Sequence, residues 1–97
     1  MRRPAATFAT VNRTRVEFTV EPFVDGAPGP HVTAALDAVR GAGFLPDIGP
    51  FSTTIEGSTT AVADAAGKLI EAATRAGATR ISIQLVTLPP QGADVDG

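Results

Sequence analysis

The stretch GPFSTTIEG at residues 49–57 joins a turn to a short strand. Gly49-Pro50 is typical of a turn, because proline fixes φ and has no amide hydrogen to donate. The β-branched residues that follow favour an extended backbone, in which Thr53 and Ile55 face one side of a sheet. The polar side chains of the segment face the other side: Ser52, Thr54 and Glu56. The stretch therefore predicts a strand with one face for a core and one face for polar contacts.

The sequence on either side predicts two helices and three more strands. Residues 15–21 alternate apolar and polar side chains, and residues 78–86 alternate again, as strands with one buried face do. Apolar residues spaced three and four apart predict amphipathic helices over 31–42 and from Ser58 to about Ala76. Residues 44–48 contain a proline, which predicts a short strand at a sheet edge. The predicted order is β-α-β-β-α-β.

This order indicates the ferredoxin-like α+β sandwich, a four-stranded antiparallel sheet with two helices on one face. The first and third strands should lie at its centre. We expect them to run parallel, which would bring Glu21 at the end of one close to the level of Glu56 at the end of the other. Residues 14–88 should form the domain, between a flexible tail at 1–13 and a disordered tail at 89–97.

Composition limits the function. With 97 residues, of which 43% are hydrophobic, the chain can form one compact domain. Its net charge of −2, its scattered basic residues and its lack of Trp and Tyr argue against nucleic-acid binding. We expect no membrane span, since no apolar run approaches the roughly 20 residues needed. Cysteine is absent, which suits a reducing cytoplasm. The single histidine, His31, should be an exposed first-turn residue, and no catalytic or metal-binding motif is present.

Three segments resemble the YkoF-like thiamine-binding family: Glu21-Pro22-Phe23, residues 49–57 and residues 77–81. The resemblance extends from about residue 15 to residue 87. It implies a ferredoxin-like, non-catalytic module that binds thiamine or its hydroxymethylpyrimidine part, with no other cofactor. Some members of that family carry two tandem copies of the unit, whereas this chain has one. A paired arrangement would therefore arise by self-association, as a homo-dimer or homo-tetramer.

With that ligand in view, Glu56 is the first candidate contact. A carboxylate accepts hydrogen bonds from an exocyclic amine and attracts the thiazolium cation. Glu21 is a second candidate, because strand alternation puts it on the same polar face as Glu56. Phe23 and Phe51 could cover a planar ring. The remaining candidates are hydroxyl and amide side chains of the polar face: Ser52, Thr54 and Gln84.

Each candidate also has a structural interpretation. The glutamates could be solvated strand ends, the phenylalanines could pack in the core or at an interface, and the polar face could contact a second subunit. The alternative function is an ACT-like regulatory or assembly module that binds an amino acid or no small molecule.

Overall fold

The computed structural model describes residues 13–22 and 29–89. Its elements are β1 Arg13–Glu21, α1 Pro30–Gly41, β2 Asp47–Ile48, β3 Thr53–Ser58, α2 Thr59–Arg75 and β4 Arg80–Leu88. The predicted tails at 1–13 and 89–97 fall outside the described residues, apart from Arg13, which begins β1, and Pro89. No helix in the described ranges has the length and apolar character that a membrane crossing requires.

The four strands form one sheet in the order β2-β3-β1-β4, and every neighbouring pair is antiparallel. Both helices pack on the same face of this sheet, mainly over β1 and β3. This is the ferredoxin-like α+β sandwich, and it confirms the predicted fold class. Among the described residues, no helix lies on the opposite face of the sheet, and we call this the open face.

The expectation that β1 and β3 run parallel is wrong. They are antiparallel, with Arg15 opposite Glu56 and Phe18 opposite Thr53. The chain reverses direction at each element from β1 through α1 and β2, so β3 must run against β1. Glu21 lies six register positions beyond Arg15, about 20 Å along the strand at ~3.3 Å per residue. Glu21 and Glu56 therefore lie at opposite ends of the sheet.

The hydrophobic core lies between the helices and the inner face of β1 and β3. The predicted strand parity is confirmed, since Val16, Phe18, Val20 and Ile55 are buried. From the helices, the core takes a stripe at helical spacing: Ala35, Val39, Val62, Ala65, Leu69 and Ala73. Burial of a large apolar side chain such as Leu69 contributes roughly 1.5–3 kcal/mol, and this packing holds the central strands in place.

Local signals set the ends of the helices. Pro30 occupies the first turn of α1, where its missing amide hydrogen has no helical partner to lose. The Ser58 side chain caps α2 by accepting a hydrogen bond from the Ala61 amide at 3.3 Å. Gly43 and Gly77 follow the two helices with φ of +97° and +108°, which glycine adopts without strain. These helix ends agree, within a residue, with the helices predicted over 31–42 and from Ser58 to about Ala76.

His31 differs from the prediction of an exposed first-turn residue. It is buried, and its Nε2–H donates a hydrogen bond to the Pro22 carbonyl at 2.5 Å. The reason is helical periodicity, because His31 precedes the buried Ala35 and Val39 by four and eight residues. His31 thus ties the start of α1 to the end of β1.

The two edge strands of the sheet are the short β2 and the longer β4, which exposes apolar side chains. β2 is shorter than predicted and begins after Pro46, which cannot donate a ladder hydrogen bond. At the other edge, β4 exposes Ile83 and Leu85 on the helix side and Val86 on the open face, because the helices pack over β1 and β3 instead. Within the described residues, β4 pairs with β1 alone.

Candidate functional site

The open face brings polar side chains from three strands into register. Glu17 of β1 lies opposite Thr54 on β3 and Gln84 on β4. One step along, Thr19 lies opposite Ser82. Because side chains alternate between faces, all of these project away from the helices. The centre of the open face is therefore a polar surface built from adjacent strands.

Glu17 and Ser52 form the best-defined contact of this surface. The Ser52 hydroxyl donates a hydrogen bond to Glu17 Oε2 at 2.7 Å. A shallow cavity of about 350 Å³ lies beside this pair, a volume at the lower end of small-molecule sites. Its remaining lining comes from β1 and β4: Phe18, Thr19, Ser82, Ile83 and Gln84. The contact fixes one carboxylate oxygen and leaves Oε1 with no donor among the described residues.

Glu56, the first candidate from the sequence, lies two residues beyond Thr54 on β3. Both of its carboxylate oxygens already accept a hydrogen bond from an arginine. Arg13 Nη2 donates to Glu56 Oε1 at 3.3 Å, and Arg15 Nε donates to Oε2 at 3.1 Å. All three side chains are partly exposed, so each ion pair contributes at most about 1 kcal/mol. The cluster carries two positive charges and one negative charge. Its field opposes a cationic ligand, whereas Glu17 favours one.

The other predicted contacts are only partly brought together. Ser52, Thr54 and Gln84 surround Glu17 on the open face, whereas Glu21 lies at the far end of β1. Phe23 lies outside the described residues.

Phe51 precedes β3 with its side chain 86% exposed, and it lines a second, smaller cavity of about 160 Å³. The two cavities share Phe18, Thr19 and Ser52, so they are adjacent.

The alternation predicted for residues 15–21 puts Glu17 and Thr19 on the polar face, but neither was selected as a contact. The available signal was the parity of β1, which puts Glu17 on the same face as Ser52 once the strands are paired. Arg13 and Arg15 were missed as partners of Glu56 because their contact depends on the register between β1 and β3.

The chemistry of the surface is suited to binding. It offers one carboxylate, four hydroxyls and an amide, which together donate to and accept from a polar ring. In the described part of the chain, no group of three or more His, Asp or Glu side chains lies close enough together to hold a metal ion. The site that these residues build would hold a small polar ligand by hydrogen bonds and charge.

The fold and this surface define a small α+β domain of the ferredoxin-like class with a polar site on its open sheet face. Residues 16–87 match the model of the family described as thiamine-binding protein, so the chain belongs to that family. This confirms the family predicted from residues 21–23, 49–57 and 77–81. No functionally curated protein matches the sequence significantly.

Solved structures are similar over most of the chain. A Thermotoga maritima protein assigned to thiamine biosynthesis or salvage is 26% identical, with a TM-score of 0.60, over 82% of this chain and 86% of that one. A Bacillus cereus domain of unknown function is 21% identical, with a TM-score of 0.63, over 87% and 82%. A Methanocaldococcus jannaschii protein is 14% identical, with a TM-score of 0.61, over 84% of each chain. The last two similarities concern the fold alone.

Proposed function

We propose that this protein binds thiamine, or its hydroxymethylpyrimidine part, without catalysing a reaction on it, at the open-face surface around Glu17. The observation that carries the proposal is the hydrogen bond from Ser52 to Glu17 beside the cavity of about 350 Å³. It orients a carboxylate whose second oxygen is available to a ligand. A thiazolium ring carries a positive charge, and an aminopyrimidine carries an amine donor beside ring acceptors. Both match a carboxylate flanked by hydroxyl and amide groups.

Two findings support a thiamine-related ligand. The chain belongs to a family described as thiamine-binding, and one similar structure is assigned to thiamine biosynthesis or salvage. The polar residues predicted as contacts, Ser52, Thr54 and Gln84, lie around Glu17. We keep Glu56 as a proposed contact but expect it to contribute less than Glu17, since its two oxygens are already paired with arginines.

We propose further that the protein works as a homo-oligomer in the cytoplasm. β4 carries no charged residue from Ile81 to Leu88, and exposed edges without charges tend to pair with another strand. Leu85 and Val86 expose apolar surface on both sides of this edge. Two copies that pair along β4 would extend the sheet and bury these side chains. The lack of cysteine suits a reducing compartment.

The test is a ligand panel measured by thermal shift and calorimetry: thiamine, hydroxymethylpyrimidine and a set of amino acids. Thiamine or hydroxymethylpyrimidine should raise the Tm, by an amount that grows with the ratio of ligand concentration to Kd. The control variant Glu71→Gln should show the same shift as the wild type, because Glu71 is an exposed carboxylate on α2, away from the open face. No shift with either thiamine compound would refute the proposal. A shift with an amino acid alone would instead support the ACT-like function.

A further inference from the structure

The smaller cavity lies where β3 stops pairing with β1. The pairing ends at Phe18 and Thr53, whereas β1 continues to Glu21 and remains paired with β4. The last three residues of β1 therefore have a strand on one side only, among the residues that the structure describes. The cavity of about 160 Å³ occupies the other side, where a longer β3 would have run. We call this cavity the slot.

The backbone of Val20 faces the slot. In an extended strand, the amide and carbonyl of one residue point to the same side, and those of the next residue point to the opposite side. The Glu21 carbonyl points toward β4, because it accepts a hydrogen bond from the Thr79 amide at 2.8 Å. The Val20 amide and carbonyl therefore point away from β4, toward the slot. Val20 is one of the residues that line it.

No partner for these two groups is found within residues 13–22 and 29–89. If the register of β1 and β3 continued, Phe51 would lie opposite Val20. The chain has instead turned away, since the Gly49 amide donates to the Ser52 carbonyl at 2.9 Å and closes the turn. A backbone amide or carbonyl without a partner is costly unless water or a ligand supplies one. The slot thus presents a donor and an acceptor side by side.

Most of the side chains that line the slot are apolar. Five of them come from α1, from the end of β2 and from the turn before β3: Val32, Leu36, Ile48, Pro50 and Phe51. A flat ring fits such walls, and a ring that enters the slot edge-on meets the Val20 backbone. The amide requires a ring acceptor, and the carbonyl requires an adjacent donor. An aminopyrimidine has this pair, a ring nitrogen next to a carbon that bears an amino group.

We propose that the Val20 amide and carbonyl recognise the aminopyrimidine edge of the ligand, as a paired strand would. This inference rests on the proposed function and names the part of the ligand that the slot takes. Thr19 and Ser52 line both the slot and the cavity beside Glu17. A thiazolium ring joined to the pyrimidine by one carbon would therefore lie over the Glu17 carboxylate.

Amide hydrogen exchange, followed by NMR on the unmodified protein, tests the proposal. In the free protein, the Val20 amide should exchange faster than the Phe18 amide, which lies opposite Thr53 in the β1–β3 ladder. With hydroxymethylpyrimidine at about 100 times its Kd, Val20 exchange should slow by up to about 100-fold. An analogue that lacks the amino group should bind at least fivefold more weakly, since it leaves the Val20 carbonyl without a donor.

The outcomes separate this inference from the proposed function. If the Val20 amide is already as protected as the Phe18 amide without ligand, another group of the protein accepts its hydrogen bond and the inference is overturned. If thiamine compounds bind but the Val20 rate is unchanged, the inference fails and the proposed function stands. If no thiamine compound binds, both fail.

Discussion

Replacement of Glu17 by glutamine separates the charge of the site from its shape. Glutamine is nearly isosteric, and its side-chain oxygen can still accept the Ser52 hydrogen bond. Only the negative charge is lost. A thiazolium about 5 Å from the carboxylate would gain about 1 kcal/mol in a water-like medium and about 3 kcal/mol at an effective dielectric constant near 20. Glu17 is exposed, so the lower figure applies and corresponds to about a fivefold change in Kd.

Isothermal titration calorimetry with two ligands measures this effect. Thiamine should bind Glu17→Gln about fivefold more weakly than the wild type, whereas uncharged hydroxymethylpyrimidine should change by less than about twofold. Salt near 1 M should remove most of the difference for thiamine, because the Debye length falls to about 3 Å. The matched variant is Glu56→Gln, which removes a carboxylate that is paired with Arg13 and Arg15.

The comparison of the two variants can refute the reasoning. An equal loss for both ligands would show that Glu17 acts through shape or hydrogen bonding and not through charge. If thiamine binding suffers more from Glu56→Gln than from Glu17→Gln, the carboxylate chosen from the sequence is the main contact and the assignment to Glu17 is wrong. Unchanged binding in both variants would place the ligand elsewhere.

Three further predictions concern stability and assembly. Leu69→Ala should cost about 2–5 kcal/mol in urea unfolding, because Leu69 is fully buried, whereas Ile70→Ala at the exposed neighbouring position should cost under about 1 kcal/mol; similar losses would contradict the core described above. Ser58→Ala should lower the unfolding free energy by about 0.5–2 kcal/mol through loss of the α2 cap, with no effect on the Kd of thiamine. Leu85→Lys should convert a dimer or tetramer to a monomer in light scattering, while Thr33→Lys on α1 should not. A wild-type monomer at micromolar concentration would refute self-association through β4.

Much of the fold could be predicted from local sequence. The alternation at residues 15–21 and 49–57 identifies the buried faces of β1 and β3, because side-chain direction in a strand depends only on parity. Ser58, Pro30, Gly43 and Gly77 mark helix ends through backbone constraints that act within a few residues. The order of these elements then restricts the topology to a ferredoxin-like sandwich.

The site was less predictable, because it depends on contacts between residues far apart in the chain. Glu56 has the right residue type and the right face, yet its charge is shared with Arg13 and Arg15, more than 40 positions away. The direction of β3 relative to β1 places Glu21 at the opposite end of the sheet from Glu56. His31 was misjudged for a nearer reason, since its four-residue spacing to Ala35 already marks the buried side of α1.

The segment 49–57 shows most clearly which features are local to the sequence and which depend on the tertiary structure. By itself, the sequence determined that this segment is a turn followed by a strand with Ile55 inside and Ser52, Thr54 and Glu56 outside, because φ restriction and strand parity are local. Only the tertiary structure decided that Ser52 binds Glu17, that Glu56 binds two arginines, and that β3 begins late enough to leave the slot beside Val20. These contacts follow from the antiparallel register of β1 and β3, which the packing of both helices against the sheet holds in place.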